Sequence, residues 1–254
     1  MKTAKSIGAV PYQALAPYYN HVMSHVDYTN WAKYLQTLWR RHGGLKPPTR
    51  VLEIAAGTCP FASPALFPKA FSVYTDLSPA MLQRAGGSIP RIACDARDLP
   101  LKGDFDFAVM IYDSLNYLIK PDQVSKALKE THRVLRPGGL FVFDVTTETC
   151  SREHFSDFID FEELDGCSSI RASRYDAQTR MQLNMFTFFV LEADGRYARH
   201  EEIHRQRIYP AATIRRLAKS AGFSVLACLA DFTLKPGSDK NERLHFVLQK
   251  TKKP

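Results

Sequence analysis

Three acids stand at the ends of short β-rich runs: Glu53 in "RVLEIAA", Asp76 in "FSVYTDLS" and Asp95 in "RIACDA". In a doubly wound sheet the carboxyl ends of the parallel strands face one crevice, and ligands bind there. An acid roughly 20 residues beyond a glycine turn suits a vicinal diol such as that of ribose, because one carboxylate accepts two hydrogen bonds. Asp76 lies 19 residues past Gly57. The turn itself, "VLEIAAGTC", puts Ala55 and Cys59 where a dinucleotide loop has its outer glycines and keeps only Gly57. A pyrophosphate needs glycine-rich, anion-receptive amides. A loop led by Glu53 suits a cationic ligand better. Ala55 is expected at negative φ, and Cys59, ahead of Pro60, is expected to end the turn at negative φ as well.

The elements that position these acids follow from periodicity. Residues 11–42 carry apolar and aromatic residues at intervals near three and four, which predicts helix broken at Pro17 and ended by "GGLKPP". Five β-rich runs then alternate with helical stretches, the pattern of a parallel sheet with crossovers. Ser78 and Pro79 open the helix of "SPAMLQRAG", and "PDQVSKALKETHRVLRPGG" opens on Pro121 and is expected to stop at Pro137-Gly138-Gly139. Prolines 60, 64 and 68 should shorten or kink the first crossover helix. From about Ser151 to Tyr209 the pattern changes to longer alternating segments, "SSIRASRYD", "RMQLNMFTFFVLE" and "YARHEEIHRQRIY", with "ADGR" as a hairpin signal. A helix after Pro210 and two closing strands complete the chain.

Composition narrows the class. The chain has 254 residues, 45% of them hydrophobic, and no apolar run near the roughly 18 residues of a membrane span. The N-terminus lacks the continuous apolar core of a signal peptide, so a cytoplasmic protein is expected. Five cysteines without a CxxC pair argue against a disulfide framework or structural zinc. The net charge of +8 is uneven: residues 1–50 hold seven Lys/Arg against one acid, 51–150 ten against eleven, and the remainder seventeen against fourteen. That distribution does not form the basic stripe of a nucleic-acid enzyme.

Taken in order, "VLEIAAGTC", "VYTDLSPAML", "CDARDLPL", "FDFAVMIYDSLNYL" and "LKETHRVLRPGGLFVFDV" resemble the class I S-adenosylmethionine-dependent methyltransferases, over roughly residues 12–250. The resemblance implies an α/β fold: a Rossmann-like doubly wound seven-stranded sheet, mostly parallel, with an inserted small antiparallel sheet and an N-terminal helical lid. It divides the chain into a lid at 1–44, a cofactor domain at 45–150 and 210–254, and a substrate-covering sheet at 151–209. S-adenosyl-L-methionine is the implied cofactor. Glu53 would meet its amino group, Ala55 and Gly57 would offer close backbone, Asp76 would hold the ribose, and Asp95 with Ala96 would meet the adenine. Leu77 and Met81 would pack on the adenine or ribose side, with Ile111 grouped among the contacts. "APYYNHVMSHVDYTNWAKYL", "DSLNYL" and "HEEIHRQRIYP" further resemble the small-molecule branch, by which Tyr19, and also Tyr28 and Trp31, would touch the cofactor or wall the pocket.

The expected reaction is direct displacement onto an N or O atom of a small-molecule acceptor, with no metal required. Tyr19, Asp113, Tyr117 and His204 are the candidates for base or hydrogen-bonding work, and Asn116 shares the loop of Asp113. Arg205 and Arg207 share one face of a strand and could hold a carboxylate or phosphate. Two other readings stay open: an RNA methyltransferase, and a non-catalytic S-adenosylmethionine-binding module. The oligomeric state, monomer or homodimer, is not readable.

Overall fold

A computed structural model describes residues 11–59, 66–86, 89–164 and 166–251. Its centre is a seven-stranded sheet in the order β10-β11-β5-β4-β1-β2-β3. The strands are β1 (Arg50–Ile54), β2 (Phe71–Asp76), β3 (Arg91–Ala93), β4 (Phe105–Met110), β5 (Leu135–Thr146), β10 (Phe223–Ala230) and β11 (Arg243–Lys250). β11 alone runs against its neighbours, pairing antiparallel with both β5 and β10. The central strands are apolar throughout because both faces are covered. On one face, Trp31, Leu35, Leu38 and Trp39 of α2 (Tyr28–His42) pack against Phe107, Val109, Leu140 and Val142. On the other, α4 (Pro121–Val134) and α6 (Ala211–Ser220) bring Val124, Leu128, Ile214 and Leu217 against Phe141, Phe143 and Phe246.

The expected helix over 11–42 is cut into two pieces. α1 spans only Tyr19–Val22, and the main break falls at Met23–Asp27 rather than at Pro17; Asp27 caps α2 through the N–H of Asn30 at 2.9 Å. The short α3 (Pro79–Gln83) starts as expected, with Ser78 accepting from Met81 N–H and Pro79 in the first turn. Of the crossover between β1 and β2, residues 60–65 with Pro60 and Pro64 lie outside the described residues, so the expected shortened or kinked helix falls there; beyond it Leu66 and Phe67 are buried. α4 ends at Val134, earlier than expected, because β5 already begins at Leu135. Pro137-Gly138-Gly139 is a bulge within that strand: Phe105 pairs with Leu135 while Phe107 pairs with Leu140. Gly139 fits there because a Cβ would lie 2.9 Å from Arg136 O and 3.1 Å from Phe105 O.

Between β5 and α6 the chain forms α5 (Glu148–His154) and a four-stranded antiparallel sheet, β6 (Asp157–Leu164), β7 (Cys167–Asp176), β8 (Met181–Leu191) and β9 (Tyr197–Arg207). The sequence pattern indicates three of these strands and misses β6. Among the described residues, no helix is long and apolar enough to cross a membrane.

Candidate active site

The loop after β1 turns through three left-handed residues, Ala55 (φ 56°), Gly57 (φ 57°) and Cys59 (φ 56°). The expectation of negative φ at Ala55 and Cys59 is therefore wrong at both. Main-chain bonds impose the geometry: Ala56 N–H donates to Thr75 O at 2.9 Å and Cys59 N–H to Ala56 O at 2.8 Å. Asp76, at the end of β2, accepts from Gly57 N–H at 2.8 Å and Ser78 N–H at 2.7 Å, so it closes the loop as well as facing the crevice. A Cβ on Gly57 would sit 3.3 Å from the Met81 methyl and 4.0 Å from the Tyr19 ring, which marks the loop as a surface of close approach.

Around this loop lies a cavity of about 330 Å³, walled by Glu53, Gly57, Asp76, Met81, Ile111 and Tyr28 among others. Ala55, Leu77 and Tyr19 also line it. Glu53 is only 4% exposed, and burial, with the nearby Asp76 second, pushes its carboxyl up to about 8. Burial also raises Asp76, against the lowering effect of its main-chain donors. Two buried acids without a cation between them form a wall that a positively charged, hydroxyl-bearing ligand would complete.

Not every residue named from sequence reaches this cavity. Asp95 and Ala96 are not among its walls; Asp95 is ion-paired with Arg97 through both carboxylate oxygens, and that pairing holds its carboxyl below the usual range. Trp31 is buried in the core against Tyr112, Phe232 and His245 rather than in the wall. Arg205 does line the cavity, at its β9 side.

A second cavity, of about 300 Å³, opens beside the first. Tyr12, Tyr19, Tyr112 and Tyr117 belong to the walls of both, so the four residues form the wall that the two cavities share. The second cavity is polar: the inward face of the antiparallel sheet contributes Arg171, Gln182, Asn184, His204 and Gln206. Ser114–Tyr117, a 3-10 turn after β4, brings Tyr117 to this face. Asn116 pins the turn, donating to Arg207 O at 2.8 Å and accepting from Thr146 N–H at 3.2 Å, so both ends of its amide hold main chain.

A chain of hydrogen bonds runs from this shared wall into the sheet. The Tyr12 hydroxyl donates to the Tyr117 oxygen at 2.7 Å; Tyr117 stands 2.9 Å from His204 Nδ1; His204 Nε2 stands 3.0 Å from Glu202 Oε2. Because the carboxylate only accepts, His204 carries its proton on Nε2 and Nδ1 accepts from Tyr117. Glu202 also accepts from the main-chain N–H groups of Tyr12 at 2.9 Å, Leu15 at 3.2 Å, and Ala14. Sequence reasoning found Tyr117 and His204 but missed Tyr12 and Glu202. Glu202 precedes His204 by two residues on the same strand face, which was the available signal.

Asp113 takes a different role. Tyr112 (φ 63°) and Asp113 (φ 49°) are both left-handed, and Asp144 holds them by accepting from their N–H groups at 2.6 and 2.9 Å. Gln206 donates to one oxygen of Asp113 and Arg243 to the other at 3.3 Å, while Arg243 also pairs with Asp144. Burial raises the Asp113 carboxyl, with Arg243 opposing. With both oxygens occupied, Asp113 positions the loop, and the hydrogen-bonded chain at Tyr117 is the better placed to move a proton.

Comparison with known proteins fits this geometry. A protein-family profile described as "Methyltransferase domain" matches residues 51–139. The protein YqeM of Bacillus subtilis (strain 168), which bears a methyltransferase's name with no acceptor in it, is 33% identical over 249 residues, 95% of this chain and 98% of its own. Among solved structures, an S-adenosylmethionine-dependent methyltransferase from Clostridium acetobutylicum ATCC 824 superposes with a TM-score of 0.78 at 22% identity, covering 92% of this chain and 96% of that one. The sugar N-methyltransferase KedS8 from Streptoalloteichus sp ATCC 53650 gives 0.73 at 19%, covering 92% and 91%.

Proposed function

This chain belongs to the S-adenosylmethionine-dependent methyltransferases, and we propose that it methylates an N or O atom of a small-molecule acceptor held in the second cavity. The observation that carries the reading is the wall of four tyrosines common to a cavity suited to the cofactor and a polar one beside it. In this reading Glu53 and Asp76 hold the cofactor's amino group and ribose, Gly57 lets it approach the backbone, and Tyr19, Tyr28, Leu77, Met81 and Ile111 cover it. S-adenosyl-L-methionine supplies, when bound, an activated methyl on a sulfonium leaving group. Adenine contact by Asp95 and Ala96 would require Asp95 to exchange its bond to Arg97.

The chain's own residues do the remaining work. The polar second cavity orients the acceptor with its lone pair toward the first cavity, and the aromatic walls exclude water. As the new bond forms, Tyr117 takes the acceptor's proton and passes its own to His204, whose imidazolium Glu202 stabilises. Burial, the largest influence, raises the Tyr117 phenol well above its usual value, so the two transfers occur together rather than through a standing phenolate. A fold shared with a sugar N-methyltransferase supports the small-molecule reading.

The test is methyl transfer from radiolabelled donor to a metabolite mixture, followed by Tyr117→Phe and His204→Asn on the acceptor found. Both variants should lose roughly 10²- to 10⁴-fold in kcat while binding S-adenosylhomocysteine as the wild type does. Unchanged kcat would remove the relay. Lack of binding by either cofactor form at millimolar concentration would remove the whole reading, and a steep loss of acceptor binding with added salt would favour RNA instead.

A further inference from the structure

The second cavity has two guanidinium groups on its walls, in contrasting states. Arg243 is neutralised, pairing with both Asp113 and Asp144. Arg171, on β7, pairs with no carboxylate of the described residues within 4.0 Å. Among the described residues its one side-chain bond is from Nη2 to Asn184 Oδ1 at 3.3 Å, and its Nε is buried without a partner, so the donors left for a ligand in the cavity are those of the two Nη nitrogens.

The guanidinium is nevertheless held firmly. Its carbon lies 5.2 Å from the ring centre of Phe155, 5.6 Å from that of Phe158 and 5.6 Å from that of Phe186. Aromatic rings around the planar group favour the cation and fix its orientation, leaving its donor edge for a planar acceptor. Asn184, which takes the Nη2 bond, is itself fixed by Ser173 at 2.7 Å and Gln206 at 3.1 Å. The acids nearest along the sheet are Asp160, directly across the β6–β7 ladder, and Glu162; both line the cavity, Asp160 is exposed and Glu162 half-buried. Neither closes on Arg171.

Arg171 lines the second cavity alone and is not among the residues it shares with the first. Its Nη2 reaches Asn184, which stands directly opposite His204 on β9. A group bound by the guanidinium is therefore a second point of attachment for the acceptor, beside the relay. The positive charge reaches Tyr117, where it partly offsets the effect of burial.

We infer that the acceptor carries a carboxylate, held by the edge of the Arg171 guanidinium in the second cavity. The inference rests on the methyl-transfer reading. A carboxylate matches one guanidinium in a bidentate pair. A phosphate dianion would be repelled more strongly by Asp160 and Glu162 in the same cavity. The arginines that the sequence brings forward, Arg205 and Arg207, do not serve here: Arg205 lines the first cavity, and Arg207 is not among the walls of either. The substrate class is thus a small acid whose methylated N or O is a group separate from its carboxylate.

The test titrates three probes, 3-phenylpropanoate, 3-phenylpropanamide and 2-phenylethyl phosphate, into protein saturated with S-adenosylhomocysteine. The acid should bind at least tenfold more tightly than the amide and the phosphate ester. Arg171→Met should bring acid and amide within twofold of each other, with S-adenosylhomocysteine affinity unchanged. If that variant does not fold, Arg171→Lys decides, since it keeps the charge without the fork and should show a reduced but measurable preference. Equal binding of acid and amide by the wild type, a preference that survives Arg171→Met, tighter binding of the phosphate ester, or no saturation by the acid up to its solubility would each overturn the inference. Those failures leave methyl transfer standing, whereas failure of the wild type to bind S-adenosylhomocysteine would remove the parent reading.

Discussion

Glu53 and Glu202 are both buried glutamates, 4% and 0% exposed, yet their surroundings treat them oppositely. Burial pushes the Glu53 carboxyl up to about 8, the nearby Asp76 adds to the rise, and among the described residues no cation opposes it. Burial would raise Glu202 too, but bonds from His204 and from the main chain of Ala14 and Leu15 outweigh it and hold that carboxyl below its ordinary range. The difference teaches how to tell a structural acid from a binding one. Glu202 has its partners inside the fold; Glu53 has been placed where only a ligand can supply one.

The largest effect expected from this contrast is at Glu202. Glu202→Ala strips a buried charge from its partners and leaves three main-chain N–H groups and His204 unsatisfied, so the protein should lose about 3–5 kcal/mol in denaturant unfolding. A loss under about 1 kcal/mol would break the comparison. Glu53→Gln should act in the other direction on the ligand-free protein. The folded state keeps a proton on Glu53 that the unfolded state releases above about 4.5, so stability falls as pH rises from there to about 8 and is level beyond. The glutamine variant should therefore match the wild type near pH 4.5 and exceed it by about 4 kcal/mol at pH 8, while binding the cofactor more weakly. Thermal melts across that pH window decide the sign. Asp76→Ala, at the second acid of the same wall, should weaken S-adenosylhomocysteine binding more than tenfold, about 1.5–3 kcal/mol by calorimetry. Unchanged affinity would show that the ribose is held elsewhere.

The smallest effect concerns the loop that carries this wall. Ala55 is an L-residue at φ 56°, so Ala55→Gly should raise stability by about 1 kcal/mol despite the greater freedom of glycine in the unfolded chain. A destabilised variant would mean that the Ala55 methyl contributes more packing than its conformation costs.

The first cavity was readable because its acids lie in short segments. Glu53 and Asp76 are single residues at strand ends, and a mostly parallel sheet follows from β-rich runs alternating with helices. The φ values of Ala55 and Cys59 were not readable, since they follow from bonds to Thr75 and Ala56 rather than from residue type. The second cavity is assembled across long separations: Tyr12 and Glu202 meet from 190 residues apart. β6 escaped notice because "DFIDFEEL" is largely exposed and places acids and rings on both faces, which blurs the alternation that marks a half-buried strand. Arg171 looked like any surface arginine until the sheet folded it among three phenylalanines.

Tyr12 stands in the wall common to both cavities, and its own N–H is tied to Glu202 along with those of the next turn. One carboxylate in the antiparallel sheet thus fixes a wall that two cavities have in common, so a change at Glu202 is felt in both at once.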